Sequence, residues 1–372
     1  MKIISIIFVF SFVFILKACT GIFSTKHGIA LVGTNEDSSD PVNRICFVKP
    51  QPGKYGRVYL GYTNFYDACL NDQGLFYDGF ATPKLQIKNS LKKKRIKEHD
   101  LCDKVMSECA TVTEVLDLFS KYNLSFLEGG QLFFADKEGN SIIIEGDDII
   151  YKKGDFQVVT NFYQSKIKPE DIQCPRYKIA YSIMDTSKTI NLELYKKILM
   201  AVHSENPNPT LYSNISDLKN GIMYLYHFHN FENVKIFKLK EEFEKMGNQK
   251  EKVYEIASFF PVTYIAERFL EQYNMRKNRD TSIKLNIKKM GSYVGVFKLK
   301  GHNFTFSIIQ KGAKLYGYAG PDEGSAELIP ESQTVFKWPL RNGSMKLHFD
   351  KIKSGKITTE EQGRKFIAKR IK

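Results

Sequence analysis

Cys19 stands where a processing site and a nucleophile would coincide, in the stretch Leu16-Lys17-Ala18-Cys19-Thr20-Gly21. Ahead of it lie Lys2 and an apolar run from Ile3 to Leu16, broken only by Ser5 and Ser11. A positive start, an apolar run short for a bilayer span and a small residue before the break have the form of a secretory signal peptide, residues 1–18. Cleavage after Ala18 would make Cys19 the amino terminus. An α-amino group titrates near about 7.7–8.0, so part of it is a free base at neutral pH. A thiol titrates near about 8.5 and needs a base before it becomes a nucleophile. A terminal cysteine carries both groups, whereas an internal one has an amide nitrogen that is no base.

Two other readings of Cys19 stay open on these residues. It is a lipoprotein cysteine if Leu16 at −3 and Ala18 at −1 decide, although Lys17 at −2 fits badly; lipidation would consume the thiol. Or it merely follows a signal peptide.

The elements that must position such a residue follow in order. Ile29 to Val32, Ile45 to Val48 and Val58 to Tyr62 read as short strands, and Asn71 to Leu75 as a turn into a strand ending at Ala81-Thr82-Pro83. The basic run Lys84 to Lys97 reads as an exposed loop or helix start. Apolar spacing at Leu101, Val105, Met106, Val112, Val115, Leu116 and Leu118 predicts helix. Strands are expected at Gln131 to Ala135, Ser141 to Glu145 and Phe156 to Thr160, and helices from Pro175 to Asp185 and Leu192 to Val202. Thr210 to Tyr226 and Val234 to Leu239 read as strands. Between them, His227 and His229 point the same way in an extended chain and, with no third ligand nearby, are read as ordinary polar residues. Pro261 to Met275 predicts an amphipathic helix, and Arg276 to Thr281 a linker. Short alternating stretches beyond it predict a small antiparallel β-domain, residues 279–372.

With 372 residues, 42% of them hydrophobic and 26% charged, the chain is globular and long enough for a second domain. Losing Lys2 and Lys17 with residues 1–18 would take the formal charge from +14 to +12 (14 − 2). Arg279 to Lys372 holds 19 Lys and Arg against 8 Asp and Glu, an excess of 11 (19 − 8). That surplus is a solvated surface or an attachment face for an anionic surface. Its lysines are scattered, not set in stripes with aromatics, so no nucleic acid is expected. The six cysteines show no CxxC spacing and no Cys/His cluster, so no metal is expected; no disulfide pair is assigned.

Several spaced motifs together resemble the choloylglycine hydrolase family, linear amide C–N hydrolases among the N-terminal nucleophile hydrolases. They are Cys19-Thr20-Gly21, Gly33-Thr34-Asn35-Glu36-Asp37, the Asn71-to-Leu75 turn, the hairpin from Asp136 to Glu145, and Thr160-Asn161. The likeness covers roughly Cys19 to Phe260. It implies an α+β fold with a four-layer αββα core. It also implies Cys19 as nucleophile with its own α-amine as base, and Asp37 holding that amine in place. Asn161 would donate to the oxyanion, and Arg176 would sit beside the thiolate and lower its pKa. Two departures bear on the substrate: the usual Arg is Thr34, and the expected side-chain oxyanion donor is Ala81, which offers only its backbone N–H. The expectation is an exported amidase, residues 19–278, acting on a small N-acyl amide without metal or organic cofactor. An acyltransferase of the same fold and a lipid-anchored, non-catalytic binding protein are the alternatives.

Overall fold

The computed structural model of the chain describes residues 19–62, 65–88, 92–205, 208–278, 283, 285–319, 325–340, 343–361 and 363–372. The expected signal peptide, residues 1–18, and positions 279–281 of the expected linker lie outside them. The chain divides into two compact units, Met1–Thr263 and Tyr264–Lys372. The helix expected to close the first domain therefore belongs to the second unit: the division falls after residue 263, not at 278/279.

The first unit opens with a hairpin of β1 (Thr20–Lys26) and β2 (Ile29–Asp37), paired from Lys26↔Ile29 to Thr20↔Asn35. His27 and Gly28 close it with φ of 49° and 82°. A two-residue hairpin loop of this kind needs positive φ at both positions, which glycine meets freely and histidine under strain. The chain then runs through β3 (Asn43–Val48), β4 (Arg57–Tyr62), β5 (Phe65–Asn71), β6 (Leu75–Ala81), α1 (Glu98–Glu108), α2 (Val112–Phe119), β7 (Gly130–Asp136) and β8 (Ser141–Glu145). It continues with β9 (Asp148–Tyr151), β10 (Phe156–Val159), α3 (Pro175–Thr186), α4 (Leu192–Ala201), β11 (Thr210–Asp217), β12 (Ile222–His227), β13 (Asn230–Lys238), α5 (Leu239–Lys245) and β14 (Glu251–Glu255). The single strand expected from Thr210 to Tyr226 is two: Asn220-Gly221, with Gly221 at φ 62°, turns the chain between them.

Two antiparallel sheets result, ordered β10-β1-β2-β11-β12-β13 and β14-β3-β4-β5-β6-β7-β8-β9. Helices α1 and α2 press Leu101, Val105, Met106, Val115 and Phe119 onto Tyr77, Phe134, Ile142 and Ile144 of the eight-stranded sheet. Thr111 and Glu114 form a capping box that starts α2. Helices α3 and α4 press Ala180, Met184, Tyr195, Ile198 and Leu199 onto Ile22, Leu31, Val158 and Ile215 of the six-stranded sheet. The other faces of the two sheets meet: a Cβ at Gly21 would lie 2.7 Å from Val159 Cγ1 and 2.8 Å from the ring of Phe80 on β6.

The second unit holds the helix α6 (Tyr264–Lys277) and a nine-stranded antiparallel sheet with its own core, centred on Tyr293, Phe297, Phe306, Phe336, Trp338 and Leu347. The six cysteines are all free thiols.

Candidate active site

Cys19 lies at the mouth of β1, between two neighbours whose registers fix its surroundings. β1 pairs with β2 through Thr20↔Asn35, so one further residue sets Cys19 opposite Glu36 and beside Asp37. On its other side Gly21 pairs with Val159, so two further residues set Cys19 opposite Asn161, just past the end of β10. The tight His27-Gly28 turn thus brings Cys19 and Asp37 together. The Asp37 N–H donates to Cys19 Sγ at 3.5 Å, and the thiol is only 4% exposed.

Arg176 enters from the first turn of α3, where Pro175 occupies a position that needs no N–H donor. Its Nη1 donates to the Cys19 carbonyl at 2.6 Å and to Thr20 Oγ1 at 2.7 Å, while Nη2 donates to Asn161 Oδ1 at 3.2 Å. Asn161 in turn donates from Nδ2 to the Ala81 carbonyl at 2.9 Å. The expected residues Cys19, Asn161, Arg176 and Ala81 are therefore one connected set. Two placements add to the expectation. The guanidinium bonds the carbonyl of Cys19, and Asn161 spends one amide N–H on Ala81, so an oxyanion would use the second.

Asp37 is fully buried; Thr210 Oγ1 donates to its Oδ1, and among the described residues no donor reaches Oδ2. Burial pushes its pKa well above the usual carboxylate range, against the Thr210 hydrogen bond and the pull of Arg176. The thiol of Cys19 is also pushed well up, first by burial and then by Glu36, Asp37 and Asp78, against the hydrogen bond from the Asp37 backbone. A thiol raised in this way is a poor nucleophile at neutral pH until a base takes its proton.

Sequence reasoning missed the buried acids Glu36 and Asp78 and the tyrosine Tyr212. Asp78 carried a faint signal, as a charge at an inward position of the apolar strand Leu75–Ala81. At the departure noted for Thr34, its hydroxyl accepts from Asn214 Nδ2 at 2.6 Å, so a neutral pair fills the place of the missing cation. His227 and His229 do not share a ligand site: His229 lies 4.5 Å from the His203 ring, and His227 stacks on Phe260. Among the described residues no three His, Cys, Asp or Glu side chains converge as metal ligands.

No protein-family model and no curated protein matches the sequence. Solved structures do match. A crystal structure of the conjugated bile acid hydrolase from Clostridium perfringens aligns over 66% of this chain and 99% of its own, with 16% identity and a TM-score of 0.52. A second variant of that protein gives the same coverage and identity with a TM-score of 0.51. The chain shares their fold. The resemblance to choloylglycine hydrolases is thus met in the backbone, with mixed helices and large antiparallel sheets as expected. Penicillin V acylase from Agrobacterium tumefaciens aligns over 59% of this chain and 84% of its own, at 14% identity and a TM-score of 0.45.

Proposed function

We propose that the first unit is an exported amidase of linear N-acyl amides, with a four-layer αββα core and with Cys19 as its amino-terminal nucleophile. The observation that carries this reading is the convergence of Asp37, Asn161 and Arg176 on Cys19 at the mouth of a central strand. The fold shared with the conjugated bile acid hydrolase supports it.

On this reading, removal of residues 1–18 turns the Cys19 nitrogen into an amine, and the unpartnered Asp37 Oδ2 accepts a hydrogen bond from it. The amine takes the thiol proton, and the sulfur attacks the amide carbonyl. The negative oxygen of the tetrahedral intermediate is met by the second N–H of Asn161 and the backbone N–H of Ala81, donors of the kind worth about 3–4 kcal/mol when preorganised. Arg176 holds Asn161 and the Cys19 carbonyl in fixed relation. The α-ammonium protonates the leaving amine, the C–N bond breaks, and water, deprotonated by the same amine, cleaves the thioester. No cofactor enters these steps. A thiol buried between two sheets also suits catalysis better than a lipid anchor.

The test is the mature protein beginning at Cys19, set against a version with one extra residue ahead of it and against Cys19→Ala. Amide turnover only in the first, with intact mass showing an unmodified terminus, is expected. Turnover in the extended version would overturn the α-amine as base; a diacylglyceryl mass on Cys19 would overturn the enzyme.

A further inference from the structure

Between the two sheets, beside Cys19, sits an acid pair that the mechanism above does not use. Side chains alternate along β2 and β6, so Glu36 and Asp78 both point into the space between the sheets, as Phe80 does against Gly21. Both are within electrostatic reach of the Cys19 thiol. Asp78 is fully buried; the backbone N–H of Gly79 acts on its carboxyl, and among the described residues no side-chain N–H or hydroxyl bonds to either of its oxygens. Its side-chain neighbour at hydrogen-bonding range is the carboxyl of Glu36, with which it can bond only through a shared proton. A second, independent feature faces the same point. Tyr212 lies directly opposite Glu36 on β11, so the two side chains share a face; its hydroxyl is fully buried, has no hydrogen-bond partner among the described residues, and is within electrostatic reach of Glu36, Asp67, Tyr62 and Asp78.

We infer that Glu36, Asp78 and Tyr212 form the seat for an ammonium group of the substrate, which makes the amides opened at Cys19 cationic ones. This rests on the amidase reading and names its substrate class. The Asp78 carboxyl, short of side-chain donors, and the Tyr212 hydroxyl carry a desolvation penalty. An ammonium brings three donors and a positive charge to both. A neutral hydroxyl would bring donors but no charge, and an anion would meet Glu36, Asp67 and Asp78. Arg176, the cation that acts on Asp37, is engaged with Cys19, Thr20 and Asn161. A bound ammonium would also offset the carboxylates that hold the thiol proton on Cys19, so binding of the right substrate would help prepare the nucleophile.

The test has two arms, both on the full chain processed to begin at Cys19. In the first, kcat/KM is measured for matched N-acyl amides whose acyl or amine half ends in an ammonium, a hydroxyl or a carboxylate. The ammonium compounds should be favoured by about tenfold or more over the hydroxyl ones. Asp78→Asn and, independently, Glu36→Gln should each cut that ratio by about tenfold. In the second, n-butylammonium chloride should raise the melting temperature above sodium chloride with n-butanol, by mass action on the folded state, and Asp78→Asn should remove the difference. Turnover without cation preference, or a thermal response equal for ammonium and alcohol, overturns the inference, leaves a shared proton as the pair's only occupant, and spares the amidase. An ammonium-specific thermal response with no turnover of any amide supports the seat and removes the amidase.

Discussion

The Cys19 carbonyl oxygen lies 2.6 Å from Nη1 of Arg176, whose Nη2 lies 3.2 Å from Asn161 Oδ1. One planar fork therefore fixes the distance between the proposed nucleophile and the proposed oxyanion donor.

That geometry separates two roles for Arg176. Arg176→Lys replaces a two-pronged donor with a single ammonium that cannot hold Cys19, Thr20 and Asn161 together. A loss of about 10²-fold in kcat is expected from the loosened geometry. The pH profile of Cys19 alkylation should move little, since lysine keeps the positive charge and the carboxyls Glu36, Asp37 and Asp78 lead the charges acting on the thiol. A clear shift of that profile would return the arginine to the role expected from sequence, beside the sulfur.

Asp37→Asn should move two readouts in opposite directions. The Asp37 charge raises the thiol pKa, so its removal lets Cys19 alkylate at lower pH. On the proposed mechanism the same change leaves the α-ammonium without its carboxylate, and turnover falls by about 10²–10⁴-fold. Thr210 would keep a partner, because the Asn oxygen still accepts its hydrogen bond. Alkylation and turnover falling together would mean that Asp37 only supports the fold.

The residues that could be read from the chain are those whose meaning is local. Cys19, Asp37 and Asn161 stand at strand ends, where short motifs mark them, and one tight turn sets the register that gathers them. Asn220-Gly221 was legible in the same way, as a turn signal inside an apolar stretch, yet Thr210 to Tyr226 reads as one strand if apolar content alone is followed. The pairing of Glu36 with Asp78 was beyond reach for a different reason. They belong to different sheets, and no pattern along either strand says that two carboxyls will face each other when the sheets stack. The bonds of Arg176 were hidden likewise. Its position was legible at a helix start, but which atom of Cys19 it grips depends on where α3 meets the end of β1.

Gly21 is a point of close approach between the sheets near the site, and its missing side chain is a packing requirement. An added methyl would sit 2.7 Å from Val159 Cγ1 and 2.8 Å from the Phe80 ring, with the sheets on either side holding both. Gly21→Ala should destabilise by about 1–3 kcal/mol through overpacking. For a unit of this size that is a drop of about 2–4 °C in melting temperature for each kcal/mol. Because Phe80 shares β6 with Asp78, cation preference should weaken more than the alkylation rate of Cys19. A variant that melts like the parent would show that the sheets give way readily here.

The turn joining β12 to β13 makes the last prediction, on acid stability. Phe228 and His229 occupy its two central positions with φ of 51° and 62°, where Asn-Gly would be usual. Burial holds His227 down to about 4, and burial with the neighbouring His203 and His227 holds His229 down to about 4 as well. Unfolded histidine titrates near about 6.5. Between those values the unfolded chain takes up protons that the folded chain refuses, so the folded state loses stability as pH falls from about 6.5 to about 4. Each histidine contributes an acid penalty of the order of 2–3 kcal/mol at the lower end of the window. His229→Asn removes one of them and places at φ 62° a residue that tolerates the left-handed region better. The variant should therefore melt higher than the parent at pH 5, with a gap that narrows toward pH 7 as the parent's histidines stop taking up protons on unfolding. Melting curves across pH 4.5–7.5 decide it. A gap that is constant with pH would leave only the relief of backbone strain, and a variant less stable at every pH would mean that the His203–His229 ring contact outweighs both effects.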